Sequence, residues 1–198
     1  MTAGEREIQL PGGALIYQAD FVPAPDQLFQ QLRDHVMWQQ PMLQVFGRWS
    51  PTPRLVSFVG DDGLSYRYSG QQHDSMPWPD ALLPLKAALA DKYGLLFNCA
   101  LLNYYRDGKD CMGWHSDNER ELGPSPAIAS VSVGECRDFR LRPSPKGCAA
   151  GHPPVSIALE HGSLLLMLPP TQSHWQHSLP KRAKRGPRIN ITFRQLIR

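Results

Sequence analysis

Arg188-Ile189-Asn190-Ile191-Thr192-Phe193-Arg194 decides the fold class. Successive residues of a strand point to opposite faces, so Arg188, Asn190 and Arg194 share one face while Ile189, Ile191 and Phe193 share the other. The apolar face belongs against a core. Taken alone, Arg194 near the end of the chain reads most simply as a surface residue. Together with Arg188 and Asn190 it argues that the other face lines a polar cavity.

The same two-residue period is read through the second half of the chain. Phe97–Tyr105, Ala127–Val133, Asp138–Arg142 and Val155–Leu159 read as strands, and Ser163–Leu168 follows a Glu160-His161-Gly162 turn. The closing strand is read as Arg188–Ile197. Upstream, Leu55–Val59 and Leu64–Tyr68 flank an Asp61-Asp62-Gly63 turn. Two segments carry helical spacing instead: Pro25–Trp38, with Leu28, Phe29, Leu32 and Val36 on one side, and Pro79–Tyr93, ended by Gly94. Two helices ahead of a series of short strands predict a mainly β fold with flanking helices. A jelly roll with the N-terminal helices packed outside fits that order, and its open mouth can hold a metal.

A chain of 198 residues suits a single domain, residues 1–198. The 19 prolines favour short strands joined by loops over long helices. There is no apolar run long enough to span a bilayer and no basic-then-apolar leader pattern, so a cytoplasmic protein is expected. Cys99, Cys111, Cys136 and Cys148 are scattered without CxxC spacing and read as free thiols. The net charge of +3 does not by itself mark a nucleic-acid binder. Its distribution is more pointed, because Lys181, Arg182, Lys184, Arg185 and Arg188 lie close together. Such a run is either a solvated loop or a phosphate-contacting patch.

His115-Ser116-Asp117 places a histidine and a carboxylate two apart, on the same side if the segment is extended. A second histidine would complete a two-histidine, one-carboxylate facial triad, the ligand set of non-haem iron oxygenases. The HxD pair alone is weak evidence, since it arises often by chance and most histidines are not ligands. His152, His161, His174 and His177 are candidates for the third position. His152 lies in a Pro/Gly-rich loop and His161 in a tight turn; spacing does not choose between His174 and His177. Asn103 and Tyr105 form a further same-face pair on the strand leading towards His115. Arginine suits a dicarboxylate because its planar fork makes paired charged hydrogen bonds.

The runs NYYRDGKDCMGWHSDNERELGPSPAIASVSVGECRDFRLR, HGSLLLM, HWQHSLPK and PRINITFR resemble the AlkB-type dioxygenases, and most nearly their nuclear DNA-repair branch. The resemblance covers roughly Val45 to Ile197. It implies a double-stranded β-helix, Fe(II), and 2-oxoglutarate and O₂ as co-substrates. It implies His115, Asp117 and His177 as metal ligands and catalytic centre. Asn103, Tyr105, Arg188, Asn190 and Arg194 are implied for 2-oxoglutarate. Of these, Arg188 with Tyr105 would take the distal carboxylate, and Arg194 with Asn103 the carboxylate beside the keto group. Residues 1–94 would form a helical and nucleotide-recognition lid region, and 95–198 the catalytic core. On the substrate side it implies Tyr66, Tyr68 and Ser69 in a lid over a flipped base, and Phe46 as a finger inserted into duplex; independently of the resemblance, Glu119 with Asp117 would add favourable charge for a positively charged base.

The activity implied is oxidative demethylation of bases such as N1-methyladenine and N3-methylcytosine in DNA, releasing formaldehyde and succinate. The expected partner is single- or double-stranded DNA, with RNA as an alternative; a monomer without membrane contact is expected, nucleoid-associated or nuclear according to the cell type. Tyr68, Asn118 and Trp114 depart from the DNA-repair branch, and Trp114 and Asn118 keep an RNA or protein demethylase in view. A lesion-binding module without turnover is disfavoured by the intact triad and both arginines. An unrelated cupin-like metal protein would leave the Arg188/Arg194 face unexplained.

Overall fold

The computed structural model describes residues 4–45, 47–68, 71–145 and 147–197. The chain begins with β1 (Glu5–Leu10), β2 (Gly13–Gln18) and α1 (Pro25–His35). Four short strands and a longer one follow: β3 (Met42–Val45), β4 (Arg48–Pro51), β5 (Leu55–Gly60), β6 (Ser65–Tyr68) and β7 (Gln71–Asp74). After α2 (Leu83–Tyr93) come β8 (Cys99–Tyr105), β9 (Met112–His115), β10 (Ile128–Gly134), β11 (Arg137–Pro143), β12 (Val155–Leu159) and β13 (Ser163–Leu168). The chain closes with α3 (Thr171–His174), β14 (Trp175–Leu179) and β15 (Arg188–Arg194).

Two antiparallel sheets face each other. The larger has the order β1-β2-β13-β10-β15-β8-β5, and the smaller β12-β11-β14-β9. The chain crosses between the sheets from β8 to β9 and returns from β14 to β15, as a jelly roll requires. Leu15, Val56, Leu101, Ile128, Phe139, Leu141, Leu165 and Trp175 belong to the core between the sheets. The opposite face of the larger sheet presents Val131, Val133, Ile189, Ile191 and Phe193 to Leu28, Leu32, Leu85 and Leu89 of α1 and α2. The helices therefore pack outside, as the sequence predicts.

Local chemistry explains the helix ends. Pro25 opens α1, where its missing N–H costs no intrahelical bond, and Asp26 lies in the first turn near the positive helix end. The helix stops at His35, three residues short of the predicted Trp38, because Val36 is extended. A 3₁₀ turn, Asp80–Leu82, replaces the predicted start of α2, which begins next to Pro84; Gly94 ends it in the left-handed conformation, φ 67°.

The larger sheet also takes in β1, β2 and β5, so residues before 94 contribute to it as well as to helices. β1 and β2 were not visible in the sequence. β1 is an edge strand, and its Glu5, Arg6, Glu7 and Gln9 break the apolar alternation that marks a half-buried strand. All four cysteines are free thiols. No helix among the described residues is long and apolar enough to cross a membrane.

Candidate active site

β15 sets the back wall of a cavity of about 220 Å³ between the sheets. Its antiparallel register with β8 puts Arg188 opposite Tyr105 and Asn190 opposite Asn103. Arg188, Asn190, Thr192 and Arg194 all face the cavity, because their apolar neighbours are committed to the helix side. The polar face read from the sequence thus lines one pocket with Asn103 and Tyr105.

His115, Asp117 and His177 stand at the same cavity, and one donor atom from each lies within 4.8 Å of the others. β9 and β14 pair His115 directly with His177, and the two rings meet at 4.2 Å. The structure thereby separates His177 from His174, which sequence spacing could not: His174 instead accepts from the Cys148 N–H through Nδ1. Nδ1 of His115 donates to the Gly113 carbonyl at 2.9 Å, which leaves the Nε2 lone pair turned towards Asp117, 3.9 Å away. Such an outer hydrogen bond fixes the tautomer a metal needs. Phe139 stacks on the His177 ring.

Asp117 is aimed differently from the prediction. β9 ends at His115, so strand alternation does not orient Asp117. Its backbone N–H donates to Gln172 Oε1 at 2.9 Å, and its carboxylate receives Arg194 Nη2 at 2.8 Å. Ser116 Oγ donates to the Trp175 carbonyl, tying the same loop to the segment that carries His177. Burial works to raise the Asp117 carboxyl. Arg194, His177 and His115 outweigh it and hold the pKa at about 2. His177 is pushed down to about 3, by burial first and then by His115. Both groups therefore present unprotonated donors at neutral pH. Two histidines and a carboxylate suit a divalent iron and leave further coordination positions open.

Behind the cluster, Arg188 is 1% exposed. Its Nη2 donates to Ser132 Oγ at 2.8 Å, and the guanidinium lies 5.4 Å from the Tyr105 ring centre. Among the described residues it makes no ion pair, and its buried Nε has no hydrogen-bond partner. Burial lowers its pKa to about 10. A buried cation without an anion is costly, so this wall fits a carboxylate ligand.

Arg54, Gln172 and Arg137 went unnoticed in the sequence. Arg54 lines the cavity and donates Nε to Asn103 Oδ1 at 2.6 Å, occupying the oxygen of a residue expected beside a ligand carboxylate. No local pattern marks any of the three, since their partners are remote in sequence.

Glu119 lines the cavity, and its buried Oε2 has no partner among the described residues. Phe46 and Ser69 lie outside the described residues. β6 carries Tyr66 and Tyr68, whose side chains also lie outside the described set. Arg188 separates from the basic run in space: it is buried in β15, whereas Lys181, Arg182, Lys184 and Arg185 line an open surface pocket with Asp107, Gly108 and Lys109. Arg182 pairs with Asp138 and Arg185 with Glu135, both at 2.9 Å.

A jelly roll with this donor set, and an arginine awaiting an anion behind it, defines a non-haem iron enzyme that uses a carboxylate co-substrate. The 2OG-Fe(II) oxygenase superfamily matches residues 17–194, and the chain belongs to that family. It is similar to mouse DNA oxidative demethylase ALKBH2, at 42% identity over 87% of this chain and 75% of that protein. It is also similar to mouse alpha-ketoglutarate-dependent dioxygenase alkB homolog 3, at 38% identity over 98% of this chain and 67% of that protein. The solved structure of OsALKBH1 covers 96% of this chain and 99% of its own with a TM-score of 0.61; at 15% identity this likeness bears on the fold.

Proposed function

We propose that this dioxygenase oxidatively demethylates N-alkylated bases in DNA, with N1-methyladenine and N3-methylcytosine as substrates, and acts as one catalytic unit over residues 1–198. The observation that carries the reading is Arg188, a buried cation without an ion-pair partner among the described residues, in the same cavity as His115, Asp117 and His177. The ALKBH2 relatives, named as DNA oxidative demethylases, supply the substrate class.

In this reading His115, Asp117 and His177 hold iron(II). Arg188 takes the distal carboxylate of 2-oxoglutarate, with Tyr105 beside it. Asn103, Asn190 and Arg194 form the rest of the co-substrate wall. Bound iron(II), with 2-oxoglutarate and O₂, supplies the oxidising chemistry that hydroxylates the N-alkyl carbon, after which formaldehyde departs and the base is restored. The protein's own work is placement and electrostatics. Arg194 holds the Asp117 carboxylate in line, and its charge keeps that carboxylate ionised.

The target base must leave the helical stack to reach the cavity. Phe46 fills the vacated space as a wedge, offsetting an unstacking cost of about a few kcal/mol. Tyr66, Tyr68 and Ser69 cover the flipped base. The Oε2 of Glu119, without a partner among the described residues, meets a positively charged lesion, a charge that undamaged bases lack. Lys181 to Arg185 contact backbone phosphates. The site of action is where the DNA lies, and the working form is a monomer.

The test is anaerobically Fe(II)-loaded protein given 2-oxoglutarate, air and a duplex carrying one N1-methyladenine, with the DNA weighed by mass spectrometry. Loss of one methyl, abolished by His115→Ala and absent without 2-oxoglutarate, is the expected result. Succinate without any change of DNA mass, on duplex and on single strand, would overturn the substrate assignment.

A further inference from the structure

Arg137, the first residue of β11, is 1% exposed, yet its charge has no carboxylate partner among the described residues. Its guanidinium instead holds backbone carbonyls on two separate connections. Nη2 donates to Asp110 at 3.0 Å and to Pro180 at 2.8 Å, and Nη1 donates to Asp107 at 3.3 Å. Asp107 and Asp110 lie in the β8–β9 turn, whereas Pro180 is the root of the basic loop between β14 and β15.

The turn that receives the loop is itself built. Arg106 donates its backbone N–H and its Nε to Asp110 Oδ2, and the Lys109 N–H donates to Asp107 Oδ1. The loop then sits directly on this turn, with the Arg182 N–H donating to the Gly108 carbonyl at 2.8 Å. A Cβ on Gly108 would overlap the Arg182 carbonyl oxygen and stand 2.9 Å from its carbon. The same Arg137 guanidinium lies 5.9 Å from the Tyr105 ring, whose centre is 5.4 Å from the Arg188 guanidinium.

We propose that Arg137 is the positioning residue of the basic loop, fixing residues 180–185 on the β8–β9 turn and bracing the Tyr105 wall of the co-substrate cavity. The inference rests on the reading that this loop meets nucleic-acid phosphates. A phosphate grip is useful only if its cations keep a set distance from the metal. One guanidinium spanning two connections supplies that constraint, and a lysine cannot, because it lacks the planar fork. The loop and the co-substrate wall thereby share one support.

The loop carries its own reporter, since Lys181, Arg182, Lys184 and Arg185 are all trypsin sites. Arg137→Met, Arg137→Lys and Gly108→Ala are compared with the parent as full-length protein. All three are expected to be nicked in this loop about tenfold faster or more, because cleavage follows the population of the opened loop. Affinity for an oligonucleotide is expected to fall, with a shallower salt dependence. Arg137→Met is expected to weaken 2-oxoglutarate binding severalfold, measured under anaerobic Fe(II) loading. Gly108→Ala, which touches only the loop, is expected to leave 2-oxoglutarate binding unchanged. Unchanged nicking in a folded Arg137 variant overturns the proposal; if neither Arg137 variant folds, Gly108→Ala decides it in the same way. Faster nicking with unchanged oligonucleotide affinity overturns the phosphate role of the loop, and nicking is read without any nucleic acid present.

Discussion

Arg194 Nη2 donates to Asp117 Oδ1 at 2.8 Å, and both side chains are almost wholly buried. The pair joins the final strand to the loop that carries Asp117, the proposed carboxylate ligand. Removing one partner from a buried ion pair strands the other charge, which costs about 3–5 kcal/mol. Arg194→Met is therefore expected to lower the melting temperature of the metal-free protein by roughly 10 °C, given the usual shift per kcal/mol for a chain of this size. Calorimetry of metal-free parent and variant checks this, and equal melting temperatures would refute it.

Gln172 acts on the same carboxylate from its backbone side. Its Oε1 accepts the Asp117 N–H, and its Nε2 donates to Met167 Sδ at 3.3 Å. Supporting groups of this kind typically cost about 10–100-fold in metal affinity when lost. Gln172→Leu is expected to weaken Co(II) or Mn(II) binding within that range, while Gln172→Glu, which keeps an acceptor oxygen, recovers part of it. Metal titration followed by the Co(II) absorption spectrum provides the readout.

These two contacts mark where sequence reading stops. The β15 alternation gave the cavity face directly, because Ile189, Ile191 and Phe193 must be buried and strand geometry then fixes where Arg188 and Arg194 point. The HxD spacing likewise brought His115 and Asp117 together, although for another reason than alternation, as Asp117 lies beyond β9. Gln172 and Arg137 act through backbone atoms, which carry no residue signature. Arg54 meets Asn103 across 49 positions through an alignment of β5 with β8 that no local period encodes. The first strand was hidden for an energetic reason: an edge strand need not bury an apolar face, so β1 lacks the pattern that reveals β15.

The metal-free protein should lose stability on the acid side of neutrality. His177 is held near 3 when folded, against an ordinary value of 6.5. Below pH 6.5 the unfolded chain takes up a proton that the folded state refuses, so stability falls with pH through that window and levels off near 3. Asp117 adds a second loss lower down, from its ordinary carboxylate range towards about 2, as its ionised partner contact is titrated away. Melting temperature measured from pH 7 to pH 4 should decline in the parent and flatten in His177→Asn. An equally steep decline in the variant would assign the acid sensitivity to other groups.

Arg188 provides the sharpest separation of co-substrate binding from metal binding. Its guanidinium lies beside Tyr105 and Ser132, on the cavity wall behind the donor cluster. Arg188→Lys keeps a positive charge but not the planar fork that binds a carboxylate through two hydrogen bonds. Losing hydrogen bonding to a charged group costs about 1.5–3 kcal/mol, which corresponds to roughly a 10–150-fold rise in the KM for 2-oxoglutarate. Co(II) affinity should stay at the parental value, because Arg188 is not one of the three donor residues. Steady-state kinetics against 2-oxoglutarate, set beside metal titration, tests both halves. A matching loss of metal affinity would mean that Arg188 supports the cavity as a whole and not the co-substrate carboxylate.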